Sequence, residues 1–250
     1  MILITGINGE LGSALTKKIS QLKSEKIIGF DLSKPNENIK HLLYKTYEGD
    51  IRDCTLIKKI FSENKIDTIY HLAAILSTEA EKKPYFSHSV NVDGFLNVIN
   101  SINVKNVKFF FPSSIAVYHL DINSKNKKIN ENDFCNPNNI YGCNKLYCEK
   151  LGSYFQNSQN NEFSIDFRSI RFSGIISAHS LPQGGTSDYA PEMIHSAIQK
   201  KDYTCFVRKD SCIPFIVMPD AVNAIIKLMH ENKSNLSTDV YHIQSFSPTA

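Results

Sequence analysis

Short apolar runs alternate with stretches of helical periodicity over the first two-thirds of the chain. Residues 2–5, 27–30, 68–74 and 107–111 are apolar runs of strand length, rich in β-branched and aromatic residues. Between them, apolar residues recur at helical spacing, as Leu11, Leu15, Ile19 and Leu22, then Leu56, Ile57, Ile60 and Phe61, then residues 90–102. Strands that alternate with helices favour parallel pairing with right-handed crossovers. The pattern therefore predicts an α/β fold with a doubly wound parallel sheet.

The pattern also predicts how the chain divides. Residues 121–139 are rich in asparagine and lysine and form the longest predicted loop, and a strand and helix return near residues 213–230. We expect a larger, cofactor-binding lobe made of residues 1–172 and 213–231. A small substrate lobe would then comprise residues 173–212 and 232–250.

A glycine-rich turn directly follows the first predicted strand. Gly6, Gly9 and Gly12 fit the pattern GxxGxxG where that strand ends and a helix begins. Glycines at such a turn allow a tight bend, close approach of the backbone to a pyrophosphate, and packing of the helix on the sheet. The helix N-terminus presents free amide donors to the phosphates. The turn predicts a dinucleotide site in a Rossmann-like fold.

Further residues at predicted strand ends indicate which dinucleotide is bound. Asp31 ends the second strand, about 20 residues beyond the glycines, where a carboxylate accepts the hydroxyls of the adenosine ribose. Its charge would repel a 2′-phosphate and no arginine follows nearby, so we predict NAD rather than NADP. Asp50 and Ile51 close a later strand-like segment and could cover the adenine. Small Ala73 and Ala74 would leave room for the cofactor.

A tyrosine and a lysine four residues apart begin the predicted helix after the long loop. Tyr141 and Lys145 lie on one helix face. A free tyrosine has a pKa of about 10, and a nearby ammonium lowers it by stabilising the phenolate, so the pair predicts a general base. Ser113 and Ser114 follow the strand at 107–111, at the edge where open parallel sheets have their active crevice. A serine hydroxyl there can hydrogen-bond a substrate oxygen.

Composition adds no special class of partner. With 250 residues, 42% of them hydrophobic and 21% charged, the chain can bury one substantial core. The net charge of +3 is too small to predict a nucleic-acid partner, and no apolar run approaches the roughly 20 residues that span a membrane. A strand-like run at Ile2 argues against a leader peptide. The six cysteines lack metal-binding spacing, so we predict reduced thiols, no metal site and a cytoplasmic location.

Four segments, GINGELG, HLAA, PSSIAVY and YGCNK, carry a family resemblance. In their order and spacing they resemble the extended short-chain dehydrogenase/reductase superfamily over nearly the whole chain. The segments IDFRSIRFSGIIS, PQGGTSDYA, DYTCF and HIQSFSPTA are similar to its NAD-dependent L-threonine 3-dehydrogenase branch. GGTSDYA discriminates best, because sugar-nucleotide epimerases and dehydratases share the glycine loop and YxxxK. The resemblance implies oxidation of the L-threonine side-chain hydroxyl to 2-amino-3-oxobutanoate.

The same resemblance implies residue roles. Tyr141 would accept the proton, Lys145 would be its electrostatic partner and hold the nicotinamide ribose, and Ser114 would orient the substrate oxygen. The substrate site would comprise Ser77, Ser114, Tyr141, Gly184 and Thr186. The NAD site would comprise Gly6, Asn8, Gly9, Glu10, Leu11, Gly12, Asp31, Asp50, Ile51, Leu72, Ala73, Ala74, Asn91, Ser113, Tyr141 and Lys145.

Two departures from the family pattern bear on the substrate lobe. Ser173 stands where the family usually has proline. The family continues beyond the SFSPTA segment, so we expect a truncated or reduced substrate lobe, with Ser247 and Pro248 starting a new helix. Two other functions stay open: a sugar-nucleotide epimerase or dehydratase of the same superfamily, and a non-catalytic NAD-binding protein.

Two predicted helices suggest self-association. In residues 90–102 and 141–155 the apolar positions spread beyond one face, and such a helix needs a second surface to cover it. The resemblance implies pairing through these two helices, so we predict a homodimer. The alternative is that one chain buries both helices.

Overall fold

The computed structural model describes residues 1–22, 26–119, 129–158, 163–178, 185 and 187–250. The strands in these ranges are β1 (Ile2–Thr5), β2 (Ile27–Asp31), β3 (Lys45–Glu48), β4 (Thr68–His71), β5 (Val107–Ser114), β6 (Ile165–Phe172), β7 (Gly174–Ile176), β8 (Phe215–Val217) and β9 (Val240–Ile243). The helices are α1 (Glu10–Gln21), α2 (Glu37–Lys40), α3 (Cys54–Glu63), α4 (Ser77–Lys82), α5 (Pro84–His88), α6 (Gly94–Ile99), α7 (Ile140–Asn157), α8 (Tyr189–Ile198) and α9 (Met218–His230).

Seven strands form one parallel sheet in the order β3-β2-β1-β4-β5-β6-β9, while β7 and β8 form a separate parallel pair. The strand order reverses between β1 and β4. At such a switch point the loops after neighbouring strands diverge and leave a crevice. The predicted doubly wound parallel sheet is confirmed.

Helices cover both faces of the sheet, so alternate strand residues enter two different cores. Leu3, Phe109 and Phe111 pack with α3, α6 and α7, whereas Ile4 and Phe110 pack with α1 and α9 on the other face. Because a strand covered on both sides has no polar face, it is apolar throughout its length. This explains why the central strands were visible as continuous apolar runs.

Two strands end at different residues from those predicted. The strand predicted at 68–74 ends at His71, because the backbone N–H groups of Leu72 and Ala73 donate to the side chain of Thr5, at 3.1 and 3.2 Å. The strand predicted at 107–111 continues to Ser114, because β6 pairs with it along its whole length.

The C-terminal residues are extended, not helical. Phe246 bridges to Phe215 and Thr249 bridges to Cys212, so the helix predicted to start at Ser247 is not found. The main sheet also includes β9, from the predicted substrate lobe, whereas β8, from the predicted cofactor-binding lobe, pairs outside it. The division into two lobes stays a prediction. In the described part of the chain, no helix has the length and apolar character to cross a membrane.

Candidate active site

The glycine turn lies where β1, β2 and β4 meet. Gly6 has a φ of 73°, and its N–H donates to the carbonyl of Phe30 at 2.8 Å. A Cβ on Gly6 would lie 2.7 Å from the backbone nitrogen of Ala73. Both the backbone conformation and the missing space therefore require glycine.

The first turn of α1 packs directly on this glycine turn. A Cβ on Gly12 would lie 2.1 Å from the carbonyl oxygen of Gly6. Gly9 is the N-cap of α1 and makes no side-chain cap, and Glu10 and Leu11 form the first turn. The glycines at the start of this helix thus leave the backbone open to close approach, the arrangement that accepts a pyrophosphate.

Asp31 joins the end of β2 to the glycine turn. Its Oδ2 accepts the N–H of Asn8 at 2.9 Å, and its Oδ1 accepts the N–H of Leu32 at 2.8 Å. Each carboxylate oxygen has a second lone pair. Asp31 is thus held in place by two amides while it can still accept hydrogen bonds from a ribose.

The side chain of Asn8 holds the loop after β2. Its Nδ2 donates to Ser33 Oγ and to the Lys34 carbonyl, both at 3.0 Å, and its Oδ1 accepts the N–H of Asn36 at 2.9 Å. Asn8, predicted as a cofactor contact, uses its side chain to fix the loop that carries Asp31.

Both residues predicted to cover the adenine, Asp50 and Ile51, contact other residues of the chain. Asp50 makes an ion pair with Arg52, with 2.6 Å between Oδ2 and Nη2, and hydrogen bonding from that guanidinium lowers the pKa of Asp50. Ile51 is buried against Gly94 at the start of α6. The Arg52 guanidinium in turn lies 4.8 Å from the ring centroid of Phe86. The acidic group at this edge is therefore neutralised within the chain.

The turn after β4 is held by two buried polar side chains. Thr5 Oγ1 accepts the N–H groups of Leu72 and Ala73, as described above. Asn91 Oδ1 accepts the N–H of Ile75 at 2.7 Å, and its Nδ2 donates to the Ile75 carbonyl at 3.0 Å. Leu72, Ala73 and Ala74 are half-buried beside the glycine turn. Asn91 therefore shapes the crevice by fixing this turn.

His71 packs as a neutral ring in the core. Its Nδ1 lies 3.1 Å from Thr5 Oγ1, and its Nε2 has no hydrogen-bond partner among the described residues. Phe95 and Phe111 flank the ring. Burial lowers the pKa of His71 to about 3. The ring therefore carries no charge at neutral pH.

The start of α7 lies beside Ser114. Asn139 caps this helix, with its Oδ1 accepting the N–H of Gly142 at 2.8 Å. A Cβ on Gly142 would lie 2.1 Å from the carbonyl oxygen of Ala116, in the 3-10 turn that Ser114 begins. This close packing brings the turn that carries Tyr141 to the strand end at Ser114. Ser114 Oγ accepts the N–H of Ala116 at 3.1 Å.

Lys145 is buried beneath Tyr141. Its Nζ donates to the Pro112 carbonyl at 2.6 Å and lies 5.5 Å from the ring centroid of Tyr141. Burial lowers the pKa of Lys145 to about 8 and raises that of Tyr141 to about 12. The expected lowering of the tyrosine pKa is not found in the chain alone, because the ammonium is directed at a carbonyl and burial dominates at the phenol.

Ser113 belongs to a buried network that the sequence did not reveal. Its Oγ donates to Glu149 Oε1 at 2.5 Å, so the hydroxyl predicted to lie near the cofactor is engaged with α7. Arg171 donates to both oxygens of Glu149, at 2.8 and 2.7 Å, and to the Tyr118 hydroxyl at 2.9 Å. The Tyr118 oxygen lies 3.0 Å from His242 Nδ1. The signal that could have indicated this network was a charged residue inside an apolar strand, Arg171, and another on the Lys145 face of a helix, Glu149.

The predicted substrate residues are only partly described. Ser77 starts α4, whose Glu81 accepts the N–H of Ile140 at 2.7 Å, so this helix packs at the start of α7. Gly184 and Thr186 lie outside the described residues. Between them, Gly185 donates its N–H to Asp188 Oδ2 at 2.6 Å.

The Oγ of Ser173, which stands at the family's proline position, is buried and has no hydrogen-bond partner within the described ranges.

In the same ranges, no group of three or more His, Cys, Asp or Glu side chains could hold a metal ion.

The crevice fits a dinucleotide laid across the carboxyl ends of the strands. The cradle at Gly6 and Gly12 is one that a Cβ would fill, and it fits the pyrophosphate. Asp31 would hold the adenosine ribose at one side, and the buried Lys145 would hold the nicotinamide ribose at the other.

Comparisons with known proteins agree with this fit. Residues 2–243 match the NAD dependent epimerase/dehydratase family. A curated relative, an uncharacterized epimerase/dehydratase of Staphylococcus epidermidis, is 33% identical over 254 residues, covering 98% of this chain and 76% of the relative.

Solved structures of two threonine dehydrogenases are also similar to the chain. One, a monomeric L-threonine 3-dehydrogenase from a metagenome, has a TM-score of 0.87 and 36% identity, covering 100% of this chain and 78% of the other. The second, from Clostridium difficile, has a TM-score of 0.87 and 30% identity, covering 99% and 76%. Together with the family match, these similarities identify NAD as the cofactor. The chain belongs to the NAD dependent epimerase/dehydratase family of enzymes.

Proposed function

We propose that the chain oxidises the side-chain hydroxyl of L-threonine to 2-amino-3-oxobutanoate, with bound NAD as the hydride acceptor. The observation that carries the proposal is the packing of Tyr141, Ser114 and Lys145 at the carboxyl edge of the sheet, beside the glycine turn. Threonine as the substrate is supported by the similarity to the two threonine dehydrogenases.

Each of the three side chains has one task in this reaction. Ser114 Oγ accepts a backbone N–H, so its own hydrogen remains to donate to the substrate oxygen. Tyr141 accepts the proton of the substrate hydroxyl. Without bound cofactor, burial keeps this phenol protonated at neutral pH. Tyr141 can therefore act as a base only if a second positive charge, in addition to that of Lys145, lies beside it. Lys145 supplies its share of that charge below pH of about 8.

The amino-acid end of the substrate would bind between α4 and the start of α8. Hydroxyls and backbone amides of Ser77, Gly184 and Thr186 are suited to a carboxylate. The position of α4 supports this placement. Its Glu81 accepts the N–H of Ile140, so the helix that begins with Ser77 lies at the start of α7, next to Tyr141.

The proposal is tested by adding L-threonine and NAD to the protein and following NADH fluorescence. We expect turnover by the wild type and a loss of about 10²- to 10⁴-fold in Tyr141→Phe, the range for removing a general base. Tyr147→Phe is the matched control, because Tyr147 is an exposed residue of the same helix. Absence of threonine turnover in a protein that binds NAD would contradict the proposal.

A sugar-nucleotide epimerase or dehydratase is the second candidate, because the curated relative is designated an uncharacterized epimerase/dehydratase. Incubation with UDP-glucose and NAD, followed by NMR of the sugar products, tests it directly. Conversion of the sugar nucleotide without threonine turnover would favour this candidate. NAD binding with neither reaction would favour a non-catalytic protein.

A further inference from the structure

Glu149 and Arg171 form a buried ion pair behind the proposed base. The two residues are 1% and 3% exposed, and both carboxylate oxygens accept from the guanidinium, at 2.8 and 2.7 Å. Arg171 also donates to the Tyr118 hydroxyl and to the Glu131 carbonyl. An ion pair of this kind contributes little net stability compared with apolar residues of the same size. Its presence beside the crevice therefore calls for another explanation.

The pair is connected to the catalytic strand end through α7. Three consecutive residues at the end of β5 are held by this helix or its first turn. The Pro112 carbonyl accepts from Lys145 and the Ser113 hydroxyl donates to Glu149. Ser114 begins the turn on which the first turn of α7 packs. Glu149 thus helps to fix the strand whose last residue orients the substrate.

Glu149 also lies one helical turn after Lys145, and residues four apart on a helix are neighbours, with about 5–6 Å between their Cβ atoms. The other titratable groups facing Lys145 are Tyr141 and Cys148 on α7 and His71 on β4. Burial holds the pKa of Cys148 and Tyr141 near 12 and that of His71 near 3, so all three are neutral at pH 7. Burial lowers the pKa of Lys145, whereas the neighbouring Cys148 and Glu149 raise it.

We propose that Glu149 is a positioning residue for the reaction: paired with Arg171, it anchors Ser113 and stabilises the buried Lys145 ammonium one helical turn away. This inference rests on the proposed roles of Tyr141 and Lys145. In this inference, a charged pair on α7 and β6 supports Ser114, Tyr141 and Lys145, the three residues proposed to contact substrate or cofactor.

The test measures NADH binding by fluorescence between pH 6 and 10, together with the pH profile of threonine turnover. NADH affinity falls where Lys145 loses its charge. In Glu149→Gln we expect this midpoint to move about one pH unit lower, since a nearby opposite charge shifts a pKa by at least that much. We also expect kcat to fall about tenfold, with KM for threonine nearly unchanged. The NADH titration needs no threonine, so a shifted midpoint without threonine turnover would reject the proposed substrate and support this inference.

Asp166→Asn is the matched control. Asp166 pairs with Arg168, which is also buried on β6, at 2.6 Å, but this pair contacts the end of α9 and not α7. Because breaking a buried pair is strongly destabilising, we add Glu149→Gln/Arg171→Met, which removes both charges. We expect a lowered midpoint in this double variant too, by less than in Glu149→Gln, because the lost positive charge of Arg171 partly offsets the lost negative charge. An unchanged midpoint there, or an equal shift in Asp166→Asn, would overturn the proposal.

Discussion

We expect Asp31 to select NAD, because the chain holds its carboxylate in place at the end of β2, and replacing it tests this role. Two backbone amides fix the carboxylate. Hydrogen bonds to a charged group contribute about 1.5–3 kcal/mol. In Asp31→Ala we therefore expect NADH affinity to fall about ten- to hundredfold, while NADPH affinity falls less or rises because repulsion of the 2′-phosphate is gone. Fluorescence titration with both nucleotides measures the ratio.

Asp67→Ala controls for the loss of one negative charge. Asp67 precedes β4 at the opposite edge of the sheet and pairs with the N-terminal ammonium of Met1 at 2.8 Å, with a half-exposed side chain. An exposed pair of this kind contributes little to stability. An unchanged NADPH to NADH affinity ratio in Asp31→Ala would mean that another residue selects the cofactor.

Candidate site residues could be proposed from the sequence where one side chain would perform a local task. The glycine turn and Asp31 have a fixed spacing along the chain, and Tyr141 and Lys145 share a helix face. The bond from Ser113 to Glu149 and the pair with Arg171 join β5, α7 and β6, so no local spacing encodes them. Burial reversed the expected pKa change of Tyr141 for the same reason, since it depends on the whole packed site.

Helix α7 presents the proposed base on its first turn, so its cap should affect both stability and turnover. Asn139 satisfies the N–H of Gly142. In Asn139→Ala we expect a loss of about 1 kcal/mol in the free energy of unfolding and a fall in Tm of about 2–4 °C. We also expect lower threonine turnover, because fraying displaces Tyr141. Thermal unfolding and NADH formation are measured on the same sample.

The matched control for this cap is Asp53→Ala. Asp53 caps α3, where one carboxylate oxygen accepts the N–H groups of Thr55 and Leu56, both at 3.0 Å. We expect a similar fall in Tm with unchanged turnover, since α3 carries none of the proposed catalytic residues. If both variants lost stability and neither lost turnover, the first turn of α7 would not position Tyr141.

The elements themselves were largely predictable from periodicity, and the exceptions have local causes. Residues 90–102 read as one helix, but the chain forms a π-helical turn at Ser89–Asp93 followed by α6. Within that turn, Asn91 directs its amide to the backbone of Ile75. Such turns are frequent at functional sites. The spacing of apolar residues does not predict a π-helical turn that serves to orient one polar side chain.

Burial within the folded chain changes the argument for a homodimer. Val92, Phe95, Val98, Ile99 and Ile102 are buried within one copy, and Leu96 is partly buried against the same core, so this helical segment needs no partner to cover it. Three exposed tyrosines do lie on α5 and α7, where Tyr85, Tyr147 and Tyr154 are 91%, 50% and 66% exposed. A hydrogen bond between His88 Nδ1 and Asn144 Oδ1, at 3.1 Å, joins these two helices.

These aromatic side chains are the surface through which we still expect two copies to pair, because aromatic residues are enriched at the centres of interfaces. Analytical ultracentrifugation at micromolar concentration should give the mass of a dimer for the wild type. Tyr154→Asp should give a monomer, because it places a charge in the apolar contact. Tyr44→Asp changes a comparably exposed tyrosine outside α5 and α7 and should remain dimeric. A wild-type monomer would contradict the prediction and match the monomeric state of one structural neighbour.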